Sequence, residues 1–117
     1  MQTDPLIAFA ANPEPPPLEI RVNFGVFAGR AATPAEIDDL ARALIPQVGE
    51  VSIVAEERHE ISEDVEVALH QVRVEVAEEH LPSSREELEE LTELLVSEAG
   101  RWAQACADER HVEVAEL

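Results

Sequence analysis

From Leu18 to Val26 the chain alternates: Leu18, Ile20, Val22, Phe24 and Val26 fall on one side, with Glu19, Arg21 and Asn23 between them. Strict period-two alternation sends successive side chains to opposite faces, so the run predicts a strand with one buried face. The period then changes. In "TPAEIDDLARALIP", Ile37, Leu40, Ala41, Leu44 and Ile45 lie on one helical stripe. Thr33 and Glu36 have capping-box spacing and Pro34 suits the first turn, while Pro46 disfavours helical geometry in the residue before it and is expected to end the helix.

Two further alternating runs, Val51 to Ile61 and Val65 to Val76, predict a hairpin turning at Glu63-Asp64. A two-residue loop sets Ile53 opposite Val74, Ala55 opposite Val72 and Glu57 opposite His70. A three-residue loop would set Ile53 opposite Arg73 and mix core with charge, so the pattern selects the tighter register. After Pro82, a longer amphipathic helix is expected, capped by Ser83 or Ser84, with Leu88, Leu91, Leu95, Ala99, Trp102 and Cys106 as its stripe. "HVEVAEL" alternates again and reads as a closing strand.

The predicted order is βαββαβ. Helices with one apolar stripe and strands with one apolar face pack as an α+β, ferredoxin-like sandwich: a four-stranded antiparallel sheet in the order 4-1-3-2, with two helices on one face. Residues 18–117 are expected to form this single domain, preceded by a proline-rich tail over residues 1–17, where five of the eight prolines lie. The apolar run "LIAFAA" within that tail is unusual for solvated chain. Leu6, Ile7 and Phe9 are therefore candidates for docking, either on their own domain or on the edge strand of a partner, with a disordered leader as the alternative.

Charge narrows the function classes. Twenty-six acids oppose eight arginines, with no lysine, for a formal charge of −18. Such a field repels phosphate backbones and anionic lipid, so neither nucleic acid nor a membrane surface is an expected partner. A single cysteine, Cys106, excludes an intrachain disulfide. No apolar run approaches the ~20 residues a membrane span needs, and a cytoplasmic protein is expected.

Candidate chemistry is sparse. On the expected register Glu57, His59 and His70 share one side of the hairpin, a carboxylate and two imidazoles of the kind that hold a divalent metal or exchange a proton. A divalent metal is thus the only cofactor these residues suggest. The loop "FGVFAGRAAT" offers Gly29 and Arg30 at a helix start as an anion site. "GVFAGR" is similar to the glycine-rich, arginine-ending phosphate loop of acylphosphatases, but the asparagine of that family's second strand is absent from "VSIVAEER", which removes the implied phosphatase chemistry. The exposed sheet face lacks the aromatics with which RNA-binding sheets of this architecture stack bases. The sequence therefore points to a non-catalytic acidic module acting through protein–protein contacts or homo-oligomerisation. A metal-dependent enzyme or sensor using Glu57, His59 and His70 is the alternative, and an acidic mimic of nucleic acid a further one.

Overall fold

The computed structural model describes residues 7–12 and 17–116, with 109–116 described by backbone alone. In chain order the elements are β1 (Ala8–Ala11), β2 (Leu18–Val22), α1 (Phe24–Ala28), α2 (Pro34–Val48), β3 (Ser52–Ile61), β4 (Glu66–Val76), a 3-10 turn (Glu78–His80) and α3 (Arg85–Glu116). The strands form one antiparallel sheet in the order β1-β2-β4-β3. The α+β class and four-stranded antiparallel sheet are as expected from the pattern; the βαββαβ order is not.

The difference lies at one edge. The segment "HVEVAEL" was expected to close the sheet beside β2, but 111–116 continue α3. Neither glycine nor proline occurs between Trp102 and Glu116, so nothing stops the helix, and a short alternation does not override that continuity. The edge is filled from the other end of the chain: β1 pairs antiparallel with β2, Ala8 opposite Val22 and Ala10 opposite Ile20. Residues 7–11 of the apolar run thus dock on their own domain. Ala8 is buried, Ile7 packs against the core, and α3 passes close enough that a Cβ on Gly100 would lie 3.3 Å from Ile7 Cγ2.

One core lies on one side of the sheet. Leu18, Ile20 and Val22 of β2 stand directly opposite Val76, Val74 and Val72 of β4. All six are buried, together with Phe24 and Ala28 of α1, Leu40, Leu44 and Val48 of α2, and Leu95, Ala99, Trp102, Ala103 and Cys106 of α3. Helix α2 begins with the expected capping box: Thr33 Oγ1 accepts from Glu36 N at 3.2 Å and Thr33 N donates to Glu36 Oε1 at 2.9 Å. It does not end at Pro46. Gly49, with φ of 87°, caps it three residues later, its N–H donating to Ile45 O. Proline in the last turn gives up its own hydrogen bond without preventing Val48 from reaching the core. Ser84 caps α3, accepting from Glu87 N at 3.4 Å.

A second departure follows Val22. The predicted strand continues to Val26, whereas β2 stops at Val22 and Phe24–Ala28 form one helical turn closed by left-handed Gly29. Phe24 is buried as the alternation requires, but Val26 is half exposed. Asn23 N donates to Ile7 O, which completes the β1–β2 ladder where the chain leaves the sheet. The turn lies directly on β4 because its second residue is glycine: a Cβ on Gly25 would fall 2.8 Å from His70 N and 3.1 Å from His70 O. Those contacts are backbone and cannot rotate away. Gly25→Ala is expected to lower unfolding free energy by about 1–2 kcal/mol, despite alanine's better helix propensity, as read from the urea midpoint.

Candidate functional site

The hairpin has the predicted register throughout. Ile53 lies opposite Val74, Ala55 opposite Val72, Glu57 opposite His70, His59 opposite Ala68 and Ile61 opposite Glu66. Ser62 N donates to Val65 O at 2.8 Å, so the loop is Glu63-Asp64. Strand β2 covers β4 only from Val72 to Val76. Residues 56–71 therefore project beyond it as a two-stranded ribbon, and apolar side chains ride on its far end: Ile61 is 71% exposed, with Val65 and Val67 also open to solvent.

Glu57, His59 and His70 lie on the ribbon as expected but do not converge. His59 Nε2 is 4.0 Å from Glu57 Oε1, and its Nδ1 is 3.9 Å from Glu66 Oε1. His70 is set apart. With Glu57, Phe24, Ala31, Ala32, Ala55, Glu56, Gln71 and Val72 it lines a recess of ≈ 220 Å3 between the ribbon and the α1–α2 loop, which His59 does not reach. Among the described residues no group of three or more histidine, cysteine, aspartate or glutamate side chains could hold a metal ion. His80 lies at the ribbon's base, its Nε2 3.4 Å from Glu50 Oε2, and His111 falls within α3.

Arg30 and Gly29 stand at the start of the loop into α2, but the guanidinium is engaged there. Arg30 Nη1 and Nη2 donate to Glu36 Oε1 and Oε2, both at 2.7 Å, a bidentate fork, and Nη1 also donates to Ala31 O at 3.0 Å. Its Cζ lies over the Phe24 ring, 5.5 Å from the centroid. Arg30, followed by the burial that opposes it and the Thr33 amide that reinforces it, holds the Glu36 carboxyl down at about 2. An incoming anion would have to displace this carboxylate. Of the tail residues, Ile7 packs inside, Phe9 is half-buried opposite Arg21, and Leu6 lies outside the described residues.

The face of the sheet away from the helices is charged, with acids and arginines alternating along β2 and β4. Register sets Glu19 opposite Glu75 and Arg21 opposite Arg73, like charges directly across. The side chains resolve this on the diagonal: Arg73 Nε lies 3.3 Å from Glu19 Oε1, Arg21 Nε donates to the same oxygen at 3.2 Å, and Arg73 Nε lies 3.4 Å from Glu75 Oε2. Glu19 is buried beneath them. The open depression beside it, ≈ 370 Å3, is lined by Arg21, Glu56, Glu57, Arg58, Gln71 and Arg73. Its arginines are matched by carboxylates, which leaves no net positive field to draw an anion.

The most extensive unsatisfied feature is backbone. Because Ser62 and Val65 share a hydrogen bond, every second pair back along the ladder (Glu60/Val67, Arg58/Leu69, Glu56/Gln71, Val54/Arg73) is also bonded. Ile53, Ala55, Glu57, His59 and Ile61 consequently turn their N–H and C=O groups away from β4. Among the described residues no strand pairs with that outer edge, and β4 is the only element that packs extensively on β3. No helix among the described residues is long and apolar enough to cross a membrane. No protein-family model, curated protein or solved structure matches the chain.

Proposed function

We propose that this protein is a non-catalytic acidic binding and assembly module, and that its working surface is the outer edge of β3, which accepts an extended strand from a protein partner. One observation carries the reading: a ten-residue strand presents a continuous row of outward N–H and C=O groups at the edge of the sheet. Unpaired edges of this length template strand addition unless something blunts them. Among the described residues the only guard is charge, and Glu56, Glu57, Arg58 and Glu60 are mixed in sign, so they select a partner as much as they repel one. The apolar tip residues supply burial that backbone pairing alone lacks. Metal-dependent chemistry at Glu57, His59 and His70 is the weaker reading, because of the three only Glu57 and His59 come as near as 4.0 Å, and His70 stands in a recess that His59 does not line.

The test uses proline as a blocker. Glu57→Pro deletes one outward N–H and leaves the bonds to β4 intact, since proline is tolerated on the solvent side of an edge strand. Ten-residue peptides selected from a displayed random library on the full chain are expected to lose at least about tenfold in affinity on this variant. They should bind equally with and without added zinc, and equally to His59→Ala and His70→Ala. Selected peptides that bind Glu57→Pro as tightly as wild type would sink the edge reading.

A further inference from the structure

The strand that best fits β3 is β3 itself. We infer that two copies of this chain associate across a twofold axis by antiparallel pairing of their β3 strands, with Glu57 opposite the partner's Glu57. This rests on the edge reading above and adds the partner and the register.

Parity and charge select the register. Only Ile53, Ala55, Glu57, His59 and Ile61 point their backbone groups outward, so outward residues must meet outward residues, and the allowed registers differ in steps. With the axis at Glu56, two glutamates meet and no opposite charges do. With it at Arg58, two arginines meet, and Glu56 faces the partner's Glu60 twice. With it at His59, Arg58 faces the partner's Glu60, but Glu57 lies against the partner's Ile61 and Ile53 has no strand residue opposite. With the axis at Glu57, Glu56 faces the partner's Arg58 and Arg58 the partner's Glu56 on the open face. Ile53 faces the partner's Ile61, and the reverse, on the other. That register also uses the strand almost end to end, for roughly ten backbone hydrogen bonds in five narrow pairs.

The shape of the molecule favours the same arrangement. Ile61 sits at the exposed end of the projecting ribbon, whereas Ile53 lies at its base and packs against the rim of the core. Antiparallel pairing brings each tip to the partner's base, so Ile61, the most exposed large apolar side chain among the described residues, gains cover from an isoleucine that already has support. The sheets join into one of eight strands. Unfavourable contacts remain, Glu57 against the partner's Glu57 and Glu60 against the partner's Val54 on each side of the axis, all set within the repulsion of two chains of formal charge −18. Association should therefore tighten with salt, unlike that of complexes held together by opposite net charges.

Sedimentation equilibrium of the full chain decides the question. Wild type is expected to dimerise, more tightly at 0.5 M than at 0.05 M salt. Glu56→Arg and Arg58→Glu should each weaken the dimer at least about tenfold, and the double variant Glu56→Arg/Arg58→Glu should restore it, since the swap recreates both cross-axis pairs in this register alone. Glu57→Gln should tighten it about threefold or more. Circular dichroism and the urea midpoint of each variant separate loss of pairing from loss of fold. A dimer lost in Glu57→Pro but indifferent to the charge swap overturns the register and leaves the edge reading standing; a dimer indifferent to Glu57→Pro overturns both. A chain that stays monomeric at all concentrations and salts overturns the self-pairing, and peptide capture at the edge would then stand alone.

Discussion

Replacing Trp102 by alanine is expected to remove about 3–5 kcal/mol of unfolding free energy, the largest loss from any single substitution considered for this fold. The indole is nearly buried and joins three helices. Its ring lies 5.1 Å from that of Phe24 in α1, tilted 36°, and its Nε1 donates to the carbonyl of Glu36 in α2 at 2.8 Å. Around it Ala99, Ala103 and Cys106 are small, so no neighbour on α3 can swell into the space left behind. Trp102→Phe separates the components. It keeps an aromatic partner for Phe24 but removes the hydrogen bond and part of the volume, and should lose about 1–2 kcal/mol. Urea unfolding followed by far-ultraviolet circular dichroism gives both values, because the variants lose the chain's only tryptophan as a fluorescent probe. A loss below about 1 kcal/mol for Trp102→Ala would mean that α3 does not clamp α1 and α2 through this side chain.

The hairpin could be read from sequence to the residue because two requirements coincided there. Val72, Val74 and Val76 had to face the helices, Arg73 had to face away, and only a two-residue loop paired them with Ile53 and Ala55. A one-residue slip would have buried a guanidinium, and the size of that penalty makes register legible. The edge beside β2 offered no such contrast. Alternation assigned "HVEVAEL" to that edge and left "LIAFAA" as a docking segment, whereas the outcome turned on distant chain: α3 runs uninterrupted through Val112 and Val114, while β1 fits beneath it where Gly100 lets the helix approach. Likewise, nothing in the alternation of Leu18 to Val26 announces that the chain leaves the sheet at Asn23. What permits it is Gly25 against the His70 backbone, a contact between residues far apart in sequence.

The candidate site divides the same way. Opposition of Glu57 and His70 followed from register, but convergence with His59 is a matter of side-chain reach, and a twisted, solvated ribbon gives those side chains nothing to hold them together. The free edge of β3 was implicit in the expected strand order, which already placed this strand outermost. Its parity follows from the two-residue loop alone, and with it the symmetric placing of Glu56 and Arg58 about Glu57. Beside Gly29 and Arg30, the capping glutamate of the next helix is itself the anion within reach of the guanidinium.

That glutamate supplies the second large effect. Glu36 closes the capping box with Thr33, receives both ends of the Arg30 guanidinium, and lies beside the Cys106 thiol, with only 12% of its side chain exposed. Its folded pKa, about 2, lies below the ordinary 4.5, so the native state favours the ionised form. The sign follows: the stabilisation is fully present above pH 4.5, is lost progressively as pH falls toward 2, and is absent below both values. A shift of this size corresponds to at most about 3 kcal/mol. Other carboxylates titrate over the same range, and in so acidic a chain their protonation also relieves repulsion, so wild type alone will not isolate the effect. The difference between wild type and Glu36→Gln does. Glutamine keeps the shape and can still accept from Arg30, yet carries no charge at any pH. The variant is expected to be less stable by about 2–3 kcal/mol at pH 6, and the gap should close as pH is lowered from 4.5 to 2, measured by urea unfolding at each pH. A gap that stayed constant across that range would assign Glu36 a packing role and remove the charged fork from the account of how α1, α2 and α3 are joined.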